Sequence, residues 1–375
     1  MKIGIEAQRI FRPKKHGMDM VVLELIRNLQ KIDTQNSYIV YVKPDSDICL
    51  ESTPNFKICE LGGSSYPAWE QYALPKAAYR DGCDILHCTS NTGPLFCKVP
   101  LITTLHDIIY LESLSLLKKG GTAYQKFGNL YRRWVVPPVV KKSLKVVTVS
   151  EFERKRIKDF MGLGDNLISI YNGVGEHFTK ITDKEILKDA KERYKLPDRF
   201  LFFLGNTDPK KNTPNVIKAF MLFNSVSEIK YKLVMLDYKE DALMQVLRDI
   251  GWPDARNEIH LTGYVPNREL PAIINQASLF LYPSLRESFG IPILEGMRCG
   301  VPVITSNTSS MPEVAGDAAE LVDPANPSQI VNAIVKILNN STYKDELIIK
   351  GFQRASLFSW RKMAQEYHNL YLNCK

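Results

Sequence analysis

No apolar run in the 375-residue chain approaches the roughly 18–20 residues that a membrane-spanning helix needs. The N-terminus, MKIGIEAQRIF, lacks the apolar core of a secretory signal and starts directly with strand-like sequence, so export is not expected. No Cys-x-x-Cys pair occurs. The seven cysteines are scattered at positions 49, 59, 83, 88, 97, 299 and 374. An odd, unpatterned set reads as reduced cytoplasmic thiols rather than a disulfide framework or a structural zinc site. Acidic residues are missing from 114–145, where Lys118, Lys119, Lys126, Arg132, Arg133, Lys141, Lys142 and Lys145 stand among Leu116, Leu117, Tyr124, Phe127, Leu130, Tyr131, Trp134 and Val135.

What is present is the composition of a globular protein, 45% hydrophobic and 24% charged, at a length that suits two domains better than one core. The net charge of +8 is uneven: residues 1–178 hold 24 Lys and Arg against 18 Asp and Glu, the remainder 25 against 23. The basic, aromatic segment 114–145 fits peripheral contact with an anionic membrane on its cytoplasmic face. A solvated helix with its apolar side on the core fits equally well. No nucleic-acid partner is expected.

Short apolar runs alternate with helical spacing along the whole chain. Lys2–Ala7, Tyr38–Val42, Asp84–His87, Leu101–Leu105 and Lys145–Val149 read as strands, with helices over 18–31 and 151–161. The pattern restarts at Phe200–Leu204 and continues through Lys232–Leu236, Ile259–Leu261, Leu279–Tyr282 and Val301–Thr305. Helices are expected near 213–224, 239–250, 268–275, 291–299 and 327–339. This alternation implies two doubly wound parallel-sheet domains, with a hinge in the polar stretch 173–198. Ligands of such sheets bind beyond the carboxyl ends of the strands, so two facing sheets would form a cleft.

The polar residues just after strands therefore carry the chemistry. After Tyr282 a loop brings Glu287, Ser288, Phe289 and Gly290, and Pro292 stands where the first turn of a helix tolerates a missing N–H. Unpaired N–H groups around Ile291, Ile293 and Leu294 favour an anion such as a diphosphate. Glu287 and Glu295 cannot hold phosphate, but they can accept hydrogen bonds from sugar hydroxyls.

The segment ESFGIPILE, with a Glu, then Phe-Gly and a second Glu after seven intervening residues, resembles the donor-binding signature of glycosyltransferase family 4. GVPVITSNTSSMPEVAGDAAELVDP (300–324), His106-Asp107, Asn172-Gly173-Val174 and DPKKN (208–212) extend the resemblance over nearly the whole chain. It implies the GT-B fold: an acceptor-binding Rossmann-like domain at 1–178, onto which a C-terminal helix at 358–375 packs back, and a nucleotide-sugar-binding one at 179–357. It implies that Glu295 binds the ribose, that Glu287 contacts the donor sugar, and that the backbone of Phe289–Ile291 holds phosphate and sugar oxygens. Lys211 matches the family's diphosphate-binding Lys. Asn206 stands where many members have an Arg, so the second cation is Lys210 or is absent. Tyr264 and Val265 match the base-lining segment, and His106 the residue that orients a donor hydroxyl, with Asp107 fixing its loop. Gly17 opens the first loop to substrate, although the usual Gly-Ile-Gly-like triplet reads Gly17-Met18-Asp19. Asp237 falls where a glycine is common.

On that resemblance the chain retains anomeric configuration while moving a hexose from a GDP-mannose or UDP-sugar type donor to a glycan or lipid-linked saccharide, in polysaccharide biosynthesis. The nucleotide sugar is a co-substrate; no cofactor and no metal are expected, because Lys211 and a helix N-terminus meet the leaving diphosphate. His106, Lys211 and Glu287 are the catalytic candidates. The competing readings are a nucleotide-sugar epimerase, a phosphorylase, or a catalytically weak binding or scaffold protein of the same fold; Asn206 and Asp19 keep the last one open.

Overall fold

The computed structural model describes residues 1–112 and 123–374. The chain divides into two compact units, residues 1–173 with those from Trp360 onward, and Val174–Ser359. In the first, β1 (Lys2–Glu6), β2 (Ser37–Val42), β3 (Phe56–Glu60), β4 (Ile85–Cys88), β5 (Leu101–Thr104), β6 (Lys145–Thr148) and β7 (Leu167–Ser169) form a parallel sheet in the order 3-2-1-4-5-6-7. In the second, β8 (Phe200–Phe203), β9 (Lys232–Met235), β10 (Ile259–Leu261), β11 (Leu279–Tyr282), β12 (Val303–Ser306) and β13 (Glu320–Val322) form another, ordered 10-9-8-11-12-13.

The central strands are apolar because helices cover both faces of each sheet. FLFF of β8 and LFLY of β11 are buried along their whole length, and each such side chain removed from water is worth about 1.5–3 kcal/mol. Strand order reverses between β1 and β4 in one unit and between β8 and β11 in the other. At such reversals the two flanking loops diverge to opposite faces and leave a crevice for a ligand.

Three strands were not expected: β3, β7 and β13. All lie at sheet edges. FKICE of β3 buries only Phe56 fully, and β7 and β13 have three residues each, too few for a periodicity to show. The helices Leu74–Arg80, Lys184–Tyr194 and Ser341–Ser356 were also missed.

The polar stretch 173–198 is not simply a hinge. It contains helix Lys184–Tyr194, which packs on helix Leu270–Ile274. The first unit ends at Gly173, earlier than 178, because residues 174–178 are tied to the second unit: Phe178 O accepts from Arg298 Nε at 3.0 Å and Val174 bridges Ser359. The chain returns at Trp360, and helix Trp360–Leu372 lies along helix Gly17–Ile32 of the first unit. Its Tyr371 Oη bonds His87 Nδ1 at 2.7 Å, and Thr104 Oγ1 bonds both His87 Nε2 (2.7 Å) and Tyr367 Oη (2.9 Å). Burial pushes the His87 imidazole down to about 3, so it is neutral and every polar atom of this internal chain has a partner.

Candidate active site

Lys211 is placed by the loop after β8. Asn206 Oδ1 accepts from Asp208 N–H at 2.8 Å, and Asp208 Oδ1 from Lys210 N–H at 3.1 Å, two successive side-chain turns that fold the backbone tightly. A single turn, Pro209–Lys211, comes next, and Asn212 leaves it in the left-handed region at φ 61°. The Asn212 amide then donates to Pro283 O (3.0 Å) and Pro324 O (2.6 Å), pinning the loop beside the end of β11. Lys211 Nζ thereby reaches Tyr282 Oη at 2.7 Å and Glu287 Oε1 at 2.6 Å, above the Tyr282 ring. Two of its three ammonium protons are engaged; the third has no partner among the described residues.

The loop after β11 is held from below by two serines. Ser309 Oγ accepts from Glu287 N–H (3.1 Å) and donates to Glu287 O (2.6 Å), while Ser310 Oγ lies 2.9 Å from Glu287 O and 2.8 Å from Phe289 O. Gly290 caps helix Ile291–Arg298 at φ 104°, and a Cβ there would meet Ile293 Cδ1 at 3.1 Å. Only glycine takes this turn without strain. One expectation is corrected: Ile293 N–H is engaged, donating to Gly290 O at 3.0 Å, and Pro292 has no N–H. Fewer donors than expected face an anion at this helix start.

Glu295 lies one turn into that helix and is 9% exposed. Burial pushes its carboxyl up to about 8, against the opposing pull of the Lys211 ammonium. A group that prefers its proton at neutral pH can donate a hydrogen bond as well as accept one.

Other expected residues are placed less favourably. Asn206 cannot substitute for a cation, since its side chain closes the turn on Asp208. Lys210 Nζ sits 3.9 Å from Asp208 Oδ2 with its side chain 40% exposed. Tyr264 is exposed and Val265 half-buried, on the loop after β10. The side chain of Phe289 belongs to the core, edge-on to Phe358. Ser288 and Ile291 are half-buried beside it. Asp237 takes φ 39°, which accounts for a glycine being common at that place. Tyr282, Asn212, Ser309 and Ser310 were missed; the signal available was the polar run 305–310 directly after an apolar strand.

In the first unit His106 comes just after β5. Its N–H donates to Asn91 Oδ1 at 2.6 Å, and Nε2 meets Thr89 O at 3.0 Å, so Nε2 carries the proton and Nδ1 is an acceptor. Burial lowers its pKa and keeps the ring neutral. Asp107 Oδ1 accepts from Ile109 N–H at 3.2 Å, tying down the loop. Gly17 begins the first helix, and a Cβ there would meet nothing within 4 Å. One triplet was passed over: Asp45-Ser46-Asp47 is an Asp-x-Asp. Asp47 is paired with Lys15 of the loop after β1, and Asp45 accepts from Ser46 N–H.

The two halves match separate family models: Glycosyltransferase Family 4 over residues 16–177, and Glycosyl transferases group 1 over 184–354. The O-antigen chain mannosyltransferase B of Escherichia coli is 31% identical over 72% of this chain and 69% of its own length. The chain belongs to glycosyltransferase family 4. A second E. coli relative, the serotype-specific mannosyltransferase WbdA, is 30% identical over 58% of this chain, and the match spans only 27% of that longer protein. Among solved structures, the Anabaena protein HepE in complex with UDP and glucose covers 100% of the chain with a TM-score of 0.75 at 16% identity, a likeness of fold. This family member is thus a glycosyltransferase of the GT-B fold.

Proposed function

We propose that this glycosyltransferase takes a hexose from a nucleotide-diphosphate sugar of GDP-mannose or UDP-sugar type and transfers it, with retention and without a metal ion, to a glycan or lipid-linked saccharide. The observation that carries the reading is Lys211 Nζ, held between Tyr282 Oη and Glu287 Oε1 at the β8–β11 strand reversal with one proton left for a phosphate oxygen. The bond from the sugar C1 to the β-phosphate oxygen breaks, and negative charge develops on the diphosphate where Lys211 and the start of helix Ile291–Arg298 can meet it. The acceptor hydroxyl attacks C1 on the face that the leaving group vacates, and its proton passes to the departing phosphate oxygen. Glu295 binds the ribose and Glu287 a sugar hydroxyl; in the first unit, neutral His106 offers Nδ1 as an acceptor to a substrate hydroxyl. Relatives that are mannosyltransferases favour a mannose donor.

A thermal-shift panel of nucleoside diphosphates and their sugars tests the donor class. A true donor at about a hundredfold its dissociation constant stabilises the protein by about 2.7 kcal/mol. The nucleoside-diphosphate shift is expected to persist in His106→Ala, with transfer slowed. No shift with any member of the panel would defeat the donor assignment.

The reading includes peripheral contact with an anionic membrane through the first unit. Among the described residues no helix is long and apolar enough to cross a membrane. Residues 114–122 of the basic segment, with Leu116, Leu117, Lys118 and Lys119, lie outside the described residues, but helix Ala123–Lys142 presents Phe127, Leu130 and Trp134 outward on one face, Trp134 being 77% exposed. Its other face packs Val135 and Val139 into the core. Gln71 Nε2 bonds Tyr131 Oη and Lys142 Nζ bonds Pro94 O, each at 2.7 Å, which joins the helix to the helical segment Trp69–Ala73 bearing exposed Tyr72 and to the loop bearing exposed Phe96. Residues 71–80 and 85–105 contain no acid, while Lys76, Lys98 and Lys142 line one pocket with Tyr72 and Phe96. Each lysine near an anionic surface adds about 1 kcal/mol. Co-sedimentation with phosphatidylglycerol vesicles, weakened in Trp134→Ala and Phe96→Ala, is expected; equal sedimentation with phosphatidylcholine vesicles would contradict it.

A further inference from the structure

The loop between β1 and the first helix is basic. Residues 7–16, AQRIFRPKKH, hold Arg9, Arg12, Lys14, Lys15 and His16 and no acid. Ile10 and Phe11 are each 1% exposed, so the loop is anchored in the core rather than loose. It stands on the β1 side of the β1–β4 strand reversal, where the crevice of a doubly wound sheet opens.

Two arginines share one carboxylate there. Asp19, 3% exposed, accepts His16 N–H at 2.7 Å and is paired with the Arg12 guanidinium, while Arg9 Nε lies 3.4 Å from its other oxygen. Neither Arg9 Nε nor Arg12 Nε has a hydrogen-bond partner, although both are buried. Lys15 is neutralised by Asp47. The trio therefore keeps one positive charge in excess, on rigid forks about three-quarters shielded from water. Such a group is under-satisfied without an anion, and planar guanidinium forks match phosphate oxygens. Space is open beside Gly17 at the end of this loop, where a Cβ would meet nothing within 4 Å. The charge is also felt in the catalytic neighbourhood: Arg9 and Asp19 both act on His106, in opposite directions.

We propose that Arg9 and Arg12, held by the buried carboxylate of Asp19, form an anion subsite in the first unit that takes a phosphate or diphosphate group of the acceptor. The expectation that Asp19 merely weakens the glycine loop is replaced: its carboxylate organises the two cations. Assignment of the group to the acceptor rests on the proposed placing of the donor diphosphate at Lys211; binding of an anion here does not.

Inorganic pyrophosphate is the probe, read by thermal shift on the full chain carrying Lys211→Met, which removes the donor-site cation. Pyrophosphate is expected to stabilise that variant still, and adding Arg9→Gln should weaken binding about tenfold, the worth of one charge-assisted hydrogen bond. Arg9→Gln leaves the Arg12–Asp19 pair intact, and Arg9→Lys should recover part of the loss, which separates ligand binding from a folding defect. A second arm uses vesicles containing phosphatidic acid. Binding that depends on Arg9 assigns the group to a lipid-linked acceptor; pyrophosphate binding alone assigns it to a water-soluble one. If Lys211→Met by itself abolishes the pyrophosphate effect, or Arg9→Gln changes neither arm, the subsite is overturned.

Discussion

Glu295 shows how far a single residue could be read. Its place in the family motif was legible, but its protonation state was not, since the sequence reads it only as an acceptor of hydroxyl hydrogen bonds. Burial sets it, raising the carboxyl to about 8. Below the unfolded-state value near 4.5, folded and unfolded forms both hold the proton. As pH rises from there through about 8, only the folded form keeps it, so the stability linked to this group is lost across that window. Wild type measured against Glu295→Gln should therefore lose relative stability from about pH 4.5 to 8 and level off above; a pH-independent difference in unfolding free energy would refute the buried, protonated state. Lys211 was likewise legible as a cation after a strand. Its partner Tyr282 was not, because a tyrosine closing an apolar strand looks like core until the neighbouring strand's loop is placed beside it.

At the level of elements, long buried strands and amphipathic helices were legible, and edges were not. β8 and β11 announce themselves by unbroken apolar runs, whereas β3, β7 and β13 are short or half-exposed and gain their identity from pairing. The helix start at Ile291 was read correctly from Gly290 and Pro292, yet its donors were overcounted, since the turn at Gly290 engages Ile293 N–H. That turn is the element's weak point. Gly290→Ala must hold φ near 104° with its Cβ 3.1 Å from Ile293 Cδ1. A cost of about 1–3 kcal/mol is expected in chemical denaturation, together with weaker nucleotide binding. A variant as stable as wild type would mean that the loop has another conformation open to it.

For the whole molecule, two repeats of a doubly wound sheet were evident from the restart of the strand pattern near Phe200. The return of the chain at Trp360 was expected from the family resemblance, but its reason is polar: Tyr367 and Tyr371 complete the hydrogen bonding of His87 and Thr104 inside the first sheet. No periodicity could reveal that, because the partners are 263 and 284 residues apart in sequence. The family was legible in ESFGIPILE and DPKKN, whereas the Arg9–Asp19–Arg12 cluster was not, because it depends on burial and on side chains brought together by the fold. The central claim is that Lys211 meets the charge of a leaving diphosphate. It is tested most directly by the rate of nucleoside-diphosphate release from the donor sugar, with a chelator present, in wild type and in Lys211→Met. A fall of about 100- to 1000-fold in kcat, the usual loss for one preorganised charge-stabilising group, with release by wild type undiminished by the chelator, is the predicted result; a Lys211→Met rate within about twofold of wild type, or wild-type release abolished by the chelator, would contradict it.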